Sequence, residues 1–542
     1  MFDDFASRIT YGLTRKSVVD PATWARTYRI MGPPYPGPWT FDHHPWLEEM
    51  HNSKSEDNVG MKGAQLGFTE HLMNIVFYRM DILNQDCLYA LPSQNPDAVD
   101  FSSGRFNPAI ELSEHLTQCF SSTKNMGHKV LRTANLYIRG ARSRSGFKSI
   151  PVSFIACDEV DEWDPDMIPL VRERMSGQLS KEMWRVSTPG VEDMGIHAQF
   201  KESSQDHFFF KCPHCSKFIE LSWENMVVTA EDYIDESLSN SHLICLECEH
   251  HLDHATKSEW LSTGRYVSKV RDRAIRGFHI NQLYSSTVTA ADIAASFLRA
   301  RISPSDEQEF FNSKLGLPHS VEGARVDESQ IESSLKNHLM KDEIKRDGFY
   351  TIGIDVGTWL HYEITQWFFD SSDYNAHFDA MAKVVKVGKV QHFDEIGDLI
   401  RLYAPIAAVV DANPERREAL RIANEFWGVL KLCFYGNSCN GRDIHVSTAE
   451  PTVTVDRTSW LDLALGRWKN GTIKLPADTP EEYKRHIKAL VRRYEKDKQG
   501  NPVARYVNTG PDHFAHARCY SEIAFENALN VQGVTPITRT SP

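Results

Sequence analysis

Residues 61–70, MKGAQLGFTE, set a lysine, two glycines and a hydroxyl in an order that suits phosphate binding. Aligned on its end with the G-x-x-x-x-G-K-[ST] loop, the stretch places its second glycine at Gly67 and its hydroxyl at Thr69. Lys62 then takes the first-glycine position, and Phe68 replaces the usual lysine. Backbone N–H groups around Gly63–Gly67 can cradle phosphates at a helix N-terminus, and Thr69 can hold Mg²⁺. Lys62 can reach the β/γ-phosphates from the opposite end of the loop. A glycine-containing strand-to-helix turn is the plain alternative. Further on, VSFIACDE (152–159) is an apolar strand ending in Asp158 and Glu159. That pairing supplies one carboxylate to position Mg²⁺ and a neighbour to polarise an attacking water. RVSTPG then offers Ser187 and Thr188 after another short strand, a hydroxyl pair able to sense a γ-phosphate, or an ordinary turn. The three motifs, in this order, predict an ATPase domain. Between the first and the second, IRGARSRSGFKS carries Arg139, Arg142, Arg144 and Lys148. One of them, with Arg144 as the candidate, acts on γ-phosphate charge, or the loop is a solvated or DNA-facing basic turn.

Two further groups of residues suit metals. Cys212-Pro-His-Cys215 and Cys245-Leu-Glu-Cys248 are separated by 29 residues, and paired CxxC knuckles present four thiolates to one tetrahedral, structural Zn²⁺. The long gap predicts an extended hairpin, and four cysteines leave His214, His250 and His251 unnecessary as ligands. In the C-terminal half, YTIGIDVGT ends a strand at Asp355 and PIAAVVDA ends another at Asp411. TGPDHFAHARCYSEIAFE opens a helix with Asp512 and His516 four residues apart, hence on one face. Acidic residues converging from two strand ends and a late helix predict a site for two Mg²⁺ or Mn²⁺ ions that cleaves phosphodiesters. A capping role for each lone Asp is the plain alternative. From Arg467 to Arg505, eleven Lys/Arg face five Asp/Glu, a stripe that can grip phosphates beside that site or form a solvated amphipathic helix (EEYKRHIKALVRRYEKDK).

The elements that position these groups alternate in the α/β manner. The 542 residues, 41% apolar and 25% charged, predict a soluble globular protein of at least two domains. No apolar run is long enough to span a membrane, and MFDDFASRIT lacks the pattern of a signal peptide. The ten cysteines fit metal binding in a reducing cytosol better than a disulfide framework. A net charge of −13 excludes passive coating of DNA and makes any DNA contact local and gated. The expected division is a Pro- and aromatic-rich N-terminal segment (1–46), a P-loop ATPase core (47–206) and a zinc ribbon (207–256). The rest of the ATPase region and a linker (257–347), a nuclease (348–527) and a flexible tail (528–542) follow.

In order, these motifs resemble the lambda-type large terminase subunits of tailed phages. The resemblance rests on KGAQLGFT, ACDE, STPG, the cysteine knuckles, GFHINQLYS, FNSKLGLP and the late carboxylates, and runs from about residue 20 to 525. It implies an ASCE-type P-loop ATPase domain, a zinc-ribbon insertion and a ribonuclease-H-like nuclease domain. It further implies a motor that drives double-stranded DNA through a portal into a procapsid, with endonucleolytic cutting of concatemers. Lys62, Gln65, Gly67 and Thr69 would bind ATP phosphates, Asp158 the Mg²⁺, and Glu159 would be the base. Ser187 and Thr188 would couple hydrolysis to motion, and Asp355 and Asp411 would hold the nuclease metals. Many relatives read D-H-x-x-D-A in the late helix. Here the second acid is His516, and Asp512 is taken as the third ligand with His516 beside it. The implied partners are DNA, the portal protein, the small terminase subunit and further copies in a ring, in the host cytoplasm and transiently on the procapsid. The rival reading is a helicase-like or remodelling ATPase whose C-terminal domain binds DNA without cutting it.

Overall fold

Short apolar runs form strands that end at, or beside, a chemical group, and they fall into two separate α/β units, residues 1–319 and 320–542. The computed structural model describes residues 18–532 except 123–124, 341–348, 370–379, 437–440, 442, 448 and 497–500. The start of the N-terminal segment, the end of the expected linker and the tail beyond Gln532 therefore lie outside the described residues.

In the first unit the elements are β1 (Asp57–Lys62), α1 (Phe68–Asp81), β2 (Cys87–Leu91), β3 (Ala134–Gly140), β4 (Phe154–Asp158), β5 (Glu182–Ser187), β6 (Asp206–Lys211) and β7 (Arg276–Ile280). They pair in the order β6-β7-β1-β5-β4-β2-β3, all parallel, with antiparallel strands added at the two edges. Helices cover both faces, so β2 and β4 are buried at every residue, which is why they read as unbroken apolar runs. The parallel register sets Met61 opposite Ser187 and Asp158 opposite Val186. Lys62, Asp158 and Ser187 therefore share the carboxyl edge of three adjacent strands, where open α/β sheets bind ligands.

The second unit is built from β8 (Phe349–Val356), β9 (Leu360–Phe368), β10 (Met381–Val390), β11 (Ala407–Asp411), β12 (Leu430–Tyr435), β13 (Thr452–Val455), α2 (Arg457–Lys469), β14 (Ile473–Pro476), α3 (Glu481–Lys488) and α4 (His513–Gln532). The sheet order is β14-β10-β9-β8-β11-β12-β13, with β8, β9 and β10 antiparallel and β8, β11, β12 and β13 parallel. This is the mixed sheet expected of a ribonuclease-H-like domain. The basic stretch is not one helix. It is α3 followed by a hairpin pairing Leu490–Lys496 with Pro502–Asn508, because Val491 and Tyr494 favour a strand once the partner segment is in place. Within the stretch read as a linker, Glu328–Ser334 is a helix capped reciprocally by Asp327 and Gln330.

Helix α4 lies along one face of β8. Thr351 bonds to the Ser521 hydroxyl at 2.8 Å, and Asp355 to His513 at 2.8 Å. Two residues of strand advance about as far as four residues of helix, so positions 351, 353 and 355 meet 521, 517 and 513 in turn. Gly353 sits at the closest approach, where a Cβ would lie 2.0 Å from the Ala517 carbonyl oxygen. The helix is held by a buried ionic set. Arg518 donates to Glu363 at 2.5 Å and to Glu522, Arg467 donates to Glu522 at 2.8 Å, and the Tyr483 hydroxyl donates to Glu363 at 2.7 Å. Removing one partner strands an unpaired charge in the interior. Arg518→Met is expected to destabilise the second unit by about 3–5 kcal/mol, read from its urea unfolding transition.

Candidate active sites

The first site forms where β1 turns into α1. Gly67 has φ +82°, a left-handed conformation that glycine adopts without strain, and it caps α1. The first amides of α1 have no intrahelical acceptor, so they point to the loop's concavity. The loop is anchored from behind. The Gly63 and Ala64 N–H groups donate to the carbonyls of Ile280 (2.9 Å) and Ser313 (2.7 Å), Gln282 Nε2 donates to the Ala64 carbonyl, and Trp46 Nε1 to that of Leu66. The segments GFHINQLYS and FNSKLGLP thus act as the loop's support. They also take the first two amides of the expected cradle, which leaves the Gln65–Thr69 end to face a ligand. Gln65 is exposed there, with φ +56°.

The loop meets the carboxylates directly. Thr69 Oγ1 lies 3.1 Å from Asp158 Oδ2, to which the Tyr89 hydroxyl also donates at 2.6 Å. Asp158 Oδ1 is buried without a hydrogen-bond partner. Burial, then the neighbouring Glu159 charge, pushes the Asp158 carboxyl above its ordinary range. A buried carboxylate oxygen with no donor, next to a threonine hydroxyl, fits a divalent cation. Lys62 Nζ is 2.9 Å from Glu159 Oε1 and 3.2 Å from Thr188 Oγ1. Glu159 has φ +51°, and its other oxygen faces Ser187 Oγ (3.3 Å) and the Thr188 N–H (3.4 Å). One cluster therefore joins Lys62, Thr69, Asp158, Glu159, Ser187 and Thr188. Arg144 is elsewhere, on the turn Arg144–Phe147, 3.6 Å from Asp166 with both side chains exposed. Sequence reasoning passed over Tyr89 and a cavity of about 360 Å³ that opens beside Gly67 and Glu70. Its walls include Tyr35, Trp39, His43 and His44, and Tyr35 stacks on His43 at 3.6 Å. The Pro- and aromatic-rich composition of residues 33–46 was the available signal.

The four knuckle sulfurs form a second site. Cys212 Sγ is 3.8 Å from Cys248 Sγ, and Cys215 Sγ is 3.9 Å from Cys245 Sγ. A tetrahedral ion with bonds to sulfur of about 2.3 Å needs edges of about 3.8 Å. The knuckles repeat one geometry, with Ser216 and Glu249 after the second cysteine at φ +59° and +60°. Each first cysteine's carbonyl accepts from that residue's N–H. His214 and His250 instead contact the carbonyls of His251 and Cys248. Elsewhere in this unit Asp81, His115 and Cys119 also come together. Asp81 there already accepts from Trp24, His115 and Arg132, which makes it an ionic network.

The third site lies at the carboxyl ends of β8 and β11. Asp355 and Asp411 occupy adjacent parallel strands, and burial, with the Asp355 charge adding to it, pushes the Asp411 carboxyl up. Asp512 immediately precedes α4. Burial works against its charge, but the hydrogen bond with His516 Nε2 at 3.4 Å holds its carboxyl below the usual range. The same Nε2 lies 3.4 Å from an Arg457 nitrogen, and Nδ1 lies 3.2 Å from the Tyr435 hydroxyl. The residue that reaches Asp355 is His513, raised chiefly by that hydrogen bond. His361, opposite Asp355 across β8 and β9, stacks on His513 with ring centres 4.6 Å apart. Burial, then the His513 charge, pulls His361 down to about 4, so it is neutral. Neither histidine was singled out from sequence. The Asp512–His513 dipeptide was the available signal for one, and the other lies on a strand whose chemistry shows only in the pairing.

Two family models match the chain: "Phage terminase large subunit gpA, ATPase domain" over residues 34–266, and "Terminase large subunit gpA, endonuclease domain" over residues 275–399. Among curated proteins none matches. Solved structures with similarity include the large terminase of bacteriophage HK97, at 12% identity, 93% of this chain, 98% of that chain and a TM-score of 0.49. The large terminase of a thermophilic bacteriophage is similar at 11% identity, 90% and 99% coverage and a TM-score of 0.33. The large terminase nuclease of thermophilic phage G20c with bound magnesium is similar at 12% identity, 36% and 95% coverage and a TM-score of 0.24. The two models are consecutive domains of one protein and together span about two thirds of this sequence. The chain belongs to the phage large terminase subunits, enzymes of DNA packaging that unite an ATPase with an endonuclease.

Proposed function

We propose that the cluster around Lys62 is the ATP site of a packaging motor and that Asp355, Asp411 and Asp512 form its nuclease centre. The observation that carries the first reading is the joining of Lys62, Thr69, Asp158 and Glu159 at one sheet edge, with Asp158 Oδ1 left without a donor. Mg²⁺ bound there supplies charge neutralisation on the β/γ-phosphates. The amides of Gln65–Thr69 hold the phosphates, and the cavity walled by Tyr35, Trp39 and His43 takes the base. Glu159 accepts a proton from the attacking water. In the resting chain Lys62 holds Glu159, so phosphate must draw Lys62 away before Glu159 is free to act. Thr188 bridges these two side chains and Ser187 bonds Glu159, so the pair registers that exchange. Arg144, exposed on its turn beside Asp166, is assigned to act on an ATP phosphate from a neighbouring subunit.

The thiolate cluster binds zinc. The wild type is expected to retain one zinc per chain through dialysis, and Cys245→Ser to lose it along with thermal stability, as atomic absorption and a melting curve would show. No helix among the described residues is long and apolar enough to cross a membrane. The chain acts in the host cytoplasm and transiently on the procapsid. There it docks on the portal, with the small subunit and further copies in a ring. The test is packaging. With procapsids and hydrolysable ATP, DNA should become protected from external nuclease, and Lys62→Ala should protect none. Protection that is independent of Lys62 would refute the motor reading.

A further inference from the structure

The histidines beside Asp355 have a geometry that no carboxylate site requires. His361 lies directly opposite Asp355 in the antiparallel β8–β9 register, so the two side chains leave the same face of the sheet. His513 reaches the same carboxylate from the first turn of α4. One ligand atom from each of Asp355, His361 and His513 falls within 4.8 Å of the others. His361 is only 4% exposed, and its Nδ1 is buried with no hydrogen-bond partner. A buried ring nitrogen without a partner costs stability unless something binds it. His516 is by contrast surrounded by Tyr435, Arg457 and Asp512.

We propose that Asp355, His361 and His513 hold a divalent first-row transition-metal ion as one position of the nuclease centre. Two imidazoles and one carboxylate favour such an ion over Mg²⁺, whose preferred ligands are oxygens. The position faces a groove. His361 and His513 line a cavity of about 800 Å³ whose walls also carry Trp359 and Arg485, together with Lys389 and Lys488, which are paired there with Glu482 and Glu328. This places one metal on the groove side of Asp355. The proposal rests on the nuclease reading of Asp355.

The test uses the full-length, zinc-loaded chain with Mn²⁺ as the probe, because Mn²⁺ does not displace zinc from thiolates. Pulsed electron paramagnetic resonance should show nitrogen-14 coupling from directly bound imidazole, and the His361 variants should lose part of it. The Asp158–Thr69 position, with no imidazole among its hydrogen-bond partners, gives no such signal. His361→Ala and the bulkier His361→Gln should each weaken Mn²⁺ binding by about tenfold or more, with circular dichroism unchanged. Absence of the coupling, or unchanged Mn²⁺ affinity in both folded variants, would overturn the proposal. Plasmid nicking by the same preparation separates the two readings. Coupling without nicking removes the nuclease reading and leaves the metal position standing. Nicking without coupling removes the metal position alone.

Discussion

Glu159→Gln is expected to lower ATP hydrolysis by about 10²–10⁴-fold while nucleotide still binds. The amide keeps the shape of the side chain but cannot take a proton, and it no longer forms the 2.9 Å ion pair with Lys62. Freed of that pair, Lys62 meets the phosphates without first giving up an ionic partner. Nucleotide affinity should therefore hold or rise, and this separates loss of the base from loss of the site. Phosphate release and equilibrium binding of a fluorescent ATP analogue, measured on one preparation, check both halves. A parallel fall in binding would mean that Glu159 serves to build the loop.

Asp355→Asn is expected to reduce nicking of supercoiled plasmid by about a thousandfold, the scale of several kcal/mol of metal-dependent stabilisation. Asp355 is the residue that every arrangement of the centre shares. It neighbours Asp411 in the parallel register and His361 in the antiparallel one, and it accepts from His513. The substitution is nearly isosteric and keeps a hydrogen-bond acceptor for His513, so the fold should survive and ATP hydrolysis should be untouched. Residual cutting at the wild-type rate in Mn²⁺ would place the metals on other residues.

The parts of this molecule that sequence made legible are those whose chemistry is local. The loop from Lys62 to Thr69, the strand ending in Asp158–Glu159 and the paired CxxC knuckles each carry their geometry within a few residues. What sequence withheld depends on which strand lies beside which. That β5 runs between β1 and β4, bringing Ser187 and Thr188 between Lys62 and Glu159, follows from strand order and not from spacing. The late helix shows the same limit. Asp512 and His516 were paired by their four-residue spacing, and they do touch. The helix begins at His513, however, and its first turn aims that residue at Asp355. His361 is farther from view still, because only the β8–β9 pairing sets it opposite Asp355. The single-helix alternative for the basic stretch fails because α3 and the following strand share one charge pattern. The change from helix to hairpin depends on the partner strand Pro502–Asn508, which lies beyond that pattern.

The most direct test is to measure ATP hydrolysis and plasmid nicking side by side in the wild type, Glu159→Gln and Asp355→Asn. The account predicts that Glu159→Gln loses hydrolysis and still nicks, while Asp355→Asn loses nicking and still hydrolyses ATP. Both activities falling together in either variant, or nicking that persists in Asp355→Asn, would contradict it.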